Sequence, residues 1–292
     1  MIITVNGLVN WAVSNQKFMN KIMKIGKKDF EIGKRTYIMG ILNVTPDSFS
    51  DGGKYNTVEK AILHTREMIE QGADIIDIGG ESTRPGYTKI SDEEEISRVV
   101  PVIEAIRKET DIPISVDSYK SEVIEASLKA GADIINDIWG FKKDSKMAQV
   151  AKQYNATCLL MHNRDNTSYC DVMKDILEDL MESVKIALKA GIKPESIIVD
   201  PGIGFAKTYE QNLEVMNHLE DFTALGYPVL LATSKKRMIG TALNLEKDER
   251  VEGTVATTVV GIMKGCDFVR VHNVKENKRA VLMTDAIVRK YI

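Results

Sequence analysis

The sequence predicts an α/β protein folded as one (β/α)8 barrel, and three observations point there. Eight short apolar runs recur along the 292 residues: Tyr37–Leu42, Asp74–Ile78, Ile112–Val116, Asp133–Ile138, Ala156–Met161, Ser196–Val199, Pro228–Ala232 and Asp267–Val271. They are rich in Ile and Val with few polar interruptions, the composition of strands buried on both faces of a parallel sheet. Amphipathic stretches separate them. A phrase also repeats: Gln71-Gly-Ala-Asp-Ile-Ile-Asp-Ile78 and Lys129-Ala-Gly-Ala-Asp-Ile-Ile-Asn-Asp-Ile138 are near copies, with Lys264-Gly-Cys-Asp-Phe-Val-Arg-Val271 a weaker third. Each sets a helix-ending Gly just before a strand, the αβ turn of a repeated unit. A doubly wound sheet would ordinarily open on GxGxxG or GxxxxGKS/T, and neither occurs.

Taken in order, residues 1–33 form an N-terminal extension of unassigned structure, and residues 34–292 form the barrel, with no Pro- or Ser-rich linker between units. The first run leads into Ile41-Leu-Asn-Val-Thr-Pro-Asp-Ser-Phe-Ser-Asp-Gly-Gly53 and the second into Gly79-Gly-Glu-Ser-Thr-Arg-Pro-Gly86. Both read as long loops, and a merely connecting βα loop needs only about two to six residues. After the second, Ser91 with Glu94 predicts a capping box, and Asp92, Glu93 and Glu95 suit the positive end of the helix dipole. That acidic run reads as a solvated first turn. Further on, Ile176, Leu177, Leu180, Val184, Ala187 and Leu188 recur at helical spacing and predict a helix over 172–190.

Composition fits an enzyme with a full core: 43% of side chains are hydrophobic and 28% charged. A formal charge of −3 argues against a general nucleic-acid or anionic-membrane surface, while 39 basic residues suffice for a local anion site. Cys158, Cys170 and Cys266 are odd in number and lack metal-ligand spacing, as reduced thiols do. No apolar stretch reaches the roughly 18 residues of a membrane span. Met1–Lys28 lacks a secretory pattern. A cytoplasmic location is the expectation.

Barrel chemistry gathers where strands end. Those ends carry Asn43, Asp77, Asp117, Asn136, Met161 with His162, Asp200, Ser234 with Lys236, and Arg270 with His272. Any one of them alone is an ordinary turn residue; eight ends converging on one rim suggest a binding site. Asp117, Asn136, Asp200 and Lys236 suit the mixed donor and acceptor edge of an aminopyrimidine. Arg84, Arg270 and His272 suit a diphosphate, and Asn43 offers a hard oxygen to Mg²⁺. Asp77 reads as barrel lining, Glu81 as a loop-structuring acceptor or a ligand contact. His162 reads as rim packing, while His64 and His218 fall in helical patterns.

The two long loops, together with Ser115-Val-Asp-Ser118, Ile135-Asn-Asp137, Asp200-Pro-Gly-Ile-Gly-Phe205, Thr233-Ser-Lys-Lys236 and Arg270-Val-His272, resemble the motifs of the dihydropteroate synthase family, in family order from about Met39 to Val274. The resemblance implies that Asp117, Asn136, Asp200 and Lys236 hold a pterin with Met161 against its ring. It assigns Arg84, Arg270 and His272 to the diphosphate, Asn43 to Mg²⁺, and Phe49, Thr83, Pro85, Phe205 and Ser234 to 4-aminobenzoate, the subsite that sulfonamides occupy in the family. Thr83 borders the pterin diphosphate as well. It also implies a homodimer and long loops that close over the second substrate. Arg237 stands where many members carry a small hydroxyl residue, and Asn273 where Asp often follows the last Arg-x-His. Rival readings are a pterin-dependent methyltransferase, which has no need of the Thr-Arg-Pro loop, a non-catalytic pterin-binding barrel, and a Schiff-base enzyme using Lys236.

Overall fold

The computed structural model describes residues 22–45, 54–81 and 89–290. Two strands, β1 (Ile22–Ile25) and β2 (Lys28–Glu31), pair as an antiparallel hairpin. Eight more are parallel: β3 (Tyr37–Asn43), β4 (Ile75–Gly79), β5 (Ile114–Asp117), β6 (Ile134–Asp137), β7 (Thr157–Met161), β8 (Ile197–Asp200), β9 (Leu230–Leu231) and β10 (Phe268–Val271). Neighbours pair in chain order, β10 pairs with both β3 and β9, and a Val199–Val229 bridge brings β8 to β9 and closes the ring. All eight apolar runs form strands. Helices follow each strand, including Asp92–Arg107, Val172–Lys189, Val251–Met263 and Val274–Val288.

The repeated phrase has a double structural meaning. Gly72 and Gly131 take φ of +101° and +111° and end their helices in the same way. Gly72 donates to Ile69 and Ala73 to Met68; Gly131 donates to Leu128 and Ala132 to Ser127. This paired bonding satisfies the last helical carbonyls through a left-handed residue that Gly adopts without a Cβ penalty. The Asp that follows reaches sideways to the strand before its own. Asp74 accepts the Ile38 N–H at 2.9 Å, Asp133 the Ile114 N–H at 2.9 Å, and Asp267 the Val229 N–H at 3.4 Å. The Ser91 cap forms, but Glu94 turns to Arg98 rather than closing the reciprocal half of a capping box.

Strand alternation sorts the core into layers. Ile38, Leu42, Ile76, Ile78, Val116 and Leu160 face the helical shell. Tyr37, Met39, Ile75, Ile134, Leu159, Ile198 and Phe268 fill the interior near the strand starts, where Met23, Ile25, Phe30 and Ile32 join them. The hairpin thus plugs the N-terminal end: Phe30 packs 4.7 Å from the Tyr37 ring and Tyr37 lies 5.4 Å from Phe268. Met23, Ile25, Phe30 and Ile32 of the N-terminal stretch are therefore part of the barrel core. No helix among the described residues is long and apolar enough to cross a membrane.

Candidate active site

Further up the same inner face the residue type changes from apolar to polar. Asp77 lies two residues beyond Ile75, Asn136 two beyond Ile134, Asp200 two beyond Ile198 and Arg270 two beyond Phe268, so period-2 alternation puts them in one layer above the apolar plug. Asp77, Asn136 and Arg270 occupy the same place in the repeated phrase, and they bond to one another. The Arg270 Nε donates to Asp77 Oδ2 at 2.6 Å and its Nη2 to Asp117 Oδ2 at 2.8 Å. Asn136 Nδ2 donates to both Asp77 oxygens at 3.2 and 3.3 Å. Asp77, set aside in the sequence as wall, is the hub. The sets assigned separately to pterin and diphosphate share this network through Arg270.

One acceptor is left over. Asp117 Oδ1 is buried and has no hydrogen-bond partner in the structure. Burial, only partly offset by Arg270, pushes the Asp117 carboxyl up to about 7. Asp200 is raised by burial against the pull of Lys236, and its Oδ1 accepts the Gly202 N–H at 2.7 Å. Burial lowers Lys236 to about 8 despite Asp200. Desolvation disfavours each of these charges, and the opposite charges nearby retain part of it.

Lys236 reaches the site from a tight turn. Lys235 holds φ of +57°, a conformation costly for a residue with a Cβ, and Arg250 anchors it by donating to the Lys235 carbonyl at 3.1 Å. Lys236 Nζ donates to the Ile203 carbonyl and sits 4.7 Å from the centre of the Phe205 ring. Gly204 lies against the lysine stem, where a Cβ would come within 2.9 Å of Lys236 Cδ. Ser234, assigned in the sequence to the second substrate, also braces His272: its Oγ is 2.9 Å from His272 Nδ1 and accepts the His272 N–H at 3.1 Å. Met161 packs with Tyr119 and Ile138 as an apolar floor, with Trp139 and Phe205 against it.

Above Asp77 opens one cavity of about 1270 Å³. It holds Asn43, Asp117, Asn136, Met161, Asp200, Phe205, Ser234, Lys236, Arg270 and His272, all the site residues read from the sequence that fall among the described ones. Phe49, Thr83, Arg84 and Pro85 lie outside the described residues. One feature had no clear signal in the sequence: Lys207, which lines the same cavity, bonds His162 Nδ1 at 2.9 Å. Glu81 is the loop-structuring acceptor, one of the two readings its sequence allows: it joins Lys120 at 2.8 Å and accepts the Ile90 N–H at 2.9 Å. A mouth of fixed acceptors beside buried cations, over an apolar floor, can hold a flat polar heterocycle and draw off negative charge from a leaving group.

Residues 39–272 match the family model described as pterin binding enzyme. The chain is 67% identical over 269 residues to the dihydropteroate synthase of Clostridium beijerinckii, covering 92% of this chain and all of that protein. It is 62% identical over 257 residues to the Bacillus subtilis enzyme of the same name, covering 88% and 90%. Among solved structures, a Clostridium difficile dihydropteroate synthase in the presence of pteroic acid superposes with a TM-score of 0.87 at 54% identity, covering 89% of this chain and 99% of that one. The Xanthomonas albilineans enzyme with 4-aminobenzoic acid gives 0.87 at 38% identity, covering 91% and 97%.

Proposed function

This chain belongs to the pterin binding enzyme family and carries out the dihydropteroate synthase reaction, and from that premise we propose how its residues divide the work. The reaction joins (7,8-dihydropterin-6-yl)methyl diphosphate to 4-aminobenzoate, giving 7,8-dihydropteroate and diphosphate. The pterin edge meets Asp117, Asn136, Asp200 and Lys236, with Met161 beneath the ring. The observation that carries this reading is the buried, unpartnered Asp117 Oδ1 in a network whose other carboxylate, Asp77, is fully engaged. A buried acceptor without a donor is costly, and an aminopyrimidine N–H removes that cost.

Arg84, Arg270 and His272 take the diphosphate. Their positive charge and N–H donors stabilise the charge that develops as it departs, a transition-state role. Ser234 Oγ, 2.9 Å from His272 Nδ1, holds that ring toward the cavity. The amine of 4-aminobenzoate is neutral near pH 7 and attacks the methylene carbon without a strong base. Phe49, Thr83, Pro85, Phe205 and Ser234 shape its pocket, and Thr83 also borders the pterin diphosphate.

Asn43 fits Mg²⁺ that arrives with the diphosphate. It ends β3 in the cavity lining, facing Gly79, where even an added Cβ would stand 3.7 Å from its Oδ1. Among the described residues no cluster of three His, Cys, Asp or Glu forms a cage. One neutral oxygen suits a metal that draws most of its ligands from water and phosphate oxygens. When bound, Mg²⁺ supplies charge neutralisation on the leaving group.

We also propose a homodimer through Val251–Met263 and Val274–Val288, which expose Met263, Leu282, Met283 and Ile287. The cytoplasmic setting we propose is supported by three unpaired cysteines. The test of the reaction is diphosphate release from the pterin substrate with Mg²⁺. Release that depends on 4-aminobenzoate and yields dihydropteroate is expected; pterin binding without release would move the reading to a methyltransferase or a non-catalytic barrel.

A further inference from the structure

The His162–Lys207 pair has no part in the reaction as described above, yet Lys207 lines the cavity. Lys207 follows the Asp200-Pro-Gly-Ile-Gly-Phe205 turn and folds its ammonium back under it. Nζ donates to the Gly202 carbonyl at 3.0 Å, to the Phe205 carbonyl at 3.2 Å and to His162 Nδ1 at 2.9 Å. In its charged form the amine has three donors, and these three acceptors use them all. None is left for a substrate, so the group holds protein.

The third acceptor ties the turn to its neighbour. With Nδ1 accepting from Lys207, the fully buried His162 carries its proton on Nε2 and donates to Asp179 Oδ2 at 3.2 Å. Arg164 grips the same Asp179 oxygen from the loop after β7. Burial lowers His162 to about 4, in keeping with a neutral ring, and lowers Lys207 to about 7 against the pull of Asp200. The turn thus hangs from the end of β7 and from the helix Val172–Lys189. Its outer bonds come from Gly204 to Asn212 Oδ1 at 2.6 Å and from Tyr169 Oη to the Ala206 carbonyl at 2.7 Å. What it presents to the cavity is the Phe205 ring, with Lys236 above that ring and bonded to the Ile203 carbonyl.

We propose that Lys207 is a positioning residue for the second substrate, which through the Gly202 and Phe205 carbonyls fixes the turn that sets the Phe205 ring against 4-aminobenzoate. This rests on the reaction and on the pocket assigned to Phe205 above. Asp117, Asn136 and Met161 belong to β5, β6 and β7, so the pterin keeps most of its contacts when the turn loosens.

The test is Lys207→Met, which keeps an unbranched stem one atom shorter and removes all its donors. Loss of one or two ordinary hydrogen bonds that act on one substrate corresponds to about a tenfold change. The KM for 4-aminobenzoate is expected to rise about tenfold, while the Kd of the pterin diphosphate, by calorimetry, changes by less than about threefold. A thermal melt establishes that the variant is folded. A fall in kcat with both constants unchanged, or an equal rise in both, would overturn the proposal, since a structural role alone produces those results. If Lys207→Met does not fold, His162→Leu decides: it removes one acceptor and leaves both carbonyl bonds, and is expected to raise the same KM by about threefold. An unchanged KM in that variant would overturn the proposal. Failure of the parent reading is distinct, because the unsubstituted enzyme would then yield no dihydropteroate.

Discussion

Arg270 donates to Asp117 Oδ2 at 2.8 Å, and the second oxygen of that carboxylate is buried with no hydrogen-bond partner. One half of Asp117 is thus spent on holding the site together and the other half is available to a ligand. Asp77 completes the arrangement by holding Arg270 at Nε and Asn136 at Nδ2.

Replacing Asp77 by Asn therefore strikes the site through the two residues it holds, Arg270 and Asn136. A fully buried acceptor of a guanidinium loses its charge, which is expected to cost about 3 kcal/mol of stability. Misplaced Arg270 is expected to lower kcat/KM for the pterin diphosphate by about a hundredfold. Urea denaturation and steady-state kinetics on one preparation check both.

The charge states set a pH window. Asp117, raised to about 7 chiefly by burial, is an anion only above that value; Lys236, lowered to about 8 chiefly by burial, is a cation only below it. Pterin affinity in the free enzyme is expected to fall on the acid side as Asp117 gains a proton and on the alkaline side as Lys236 loses one. Lys236→Arg keeps the charge and should remove the alkaline limb, at the cost of weaker binding overall. Calorimetric titration between pH 5 and 10 decides it.

The fold was legible in the sequence because strands buried on both faces leave unbroken apolar runs, and because Gly72, Gly131 and Gly265 mark the same turn in repeated phrases. The repeat held more than that turn. Its Asp74, Asp133 and Asp267 cap neighbouring strands, and its Asp77, Asn136 and Arg270 converge, since equivalent places on barrel strands fall in one layer. What one chain order cannot display is contact between distant residues. Lys207 lies 45 positions from His162, and its neighbours in sequence resemble any helix start. Residues 22–32 show no barrel pattern because they form an antiparallel plug.

That plug should govern stability alone. Phe30 is 2% exposed between Tyr37 and Phe268, at the far end of the barrel from the cavity. Phe30→Ala is expected to cost about 3 kcal/mol through cavity formation. Both KM values at 25 °C are expected to stay within about twofold of the parent enzyme, since distant sites seldom couple. Denaturation curves and kinetics check the separation.

The apolar helix pair tests the assembly. Met263 and Met283 are 66% and 62% exposed. The double variant Met263→Asp, Met283→Asp places charge in the proposed interface, where desolvation without a partner is unfavourable. Sedimentation equilibrium is expected to show dimers for the parent chain and monomers for the variant.

The most direct test is the pterin affinity of Asp117→Asn, measured by calorimetry on protein that melts as the parent does. Asn retains the shape but offers a weaker acceptor and loses the ion pair with Arg270. Loss of charged hydrogen bonds is expected to weaken the pterin diphosphate by about a hundredfold. Affinity within about twofold of the parent would contradict the assignment of the pterin to the mouth of this barrel.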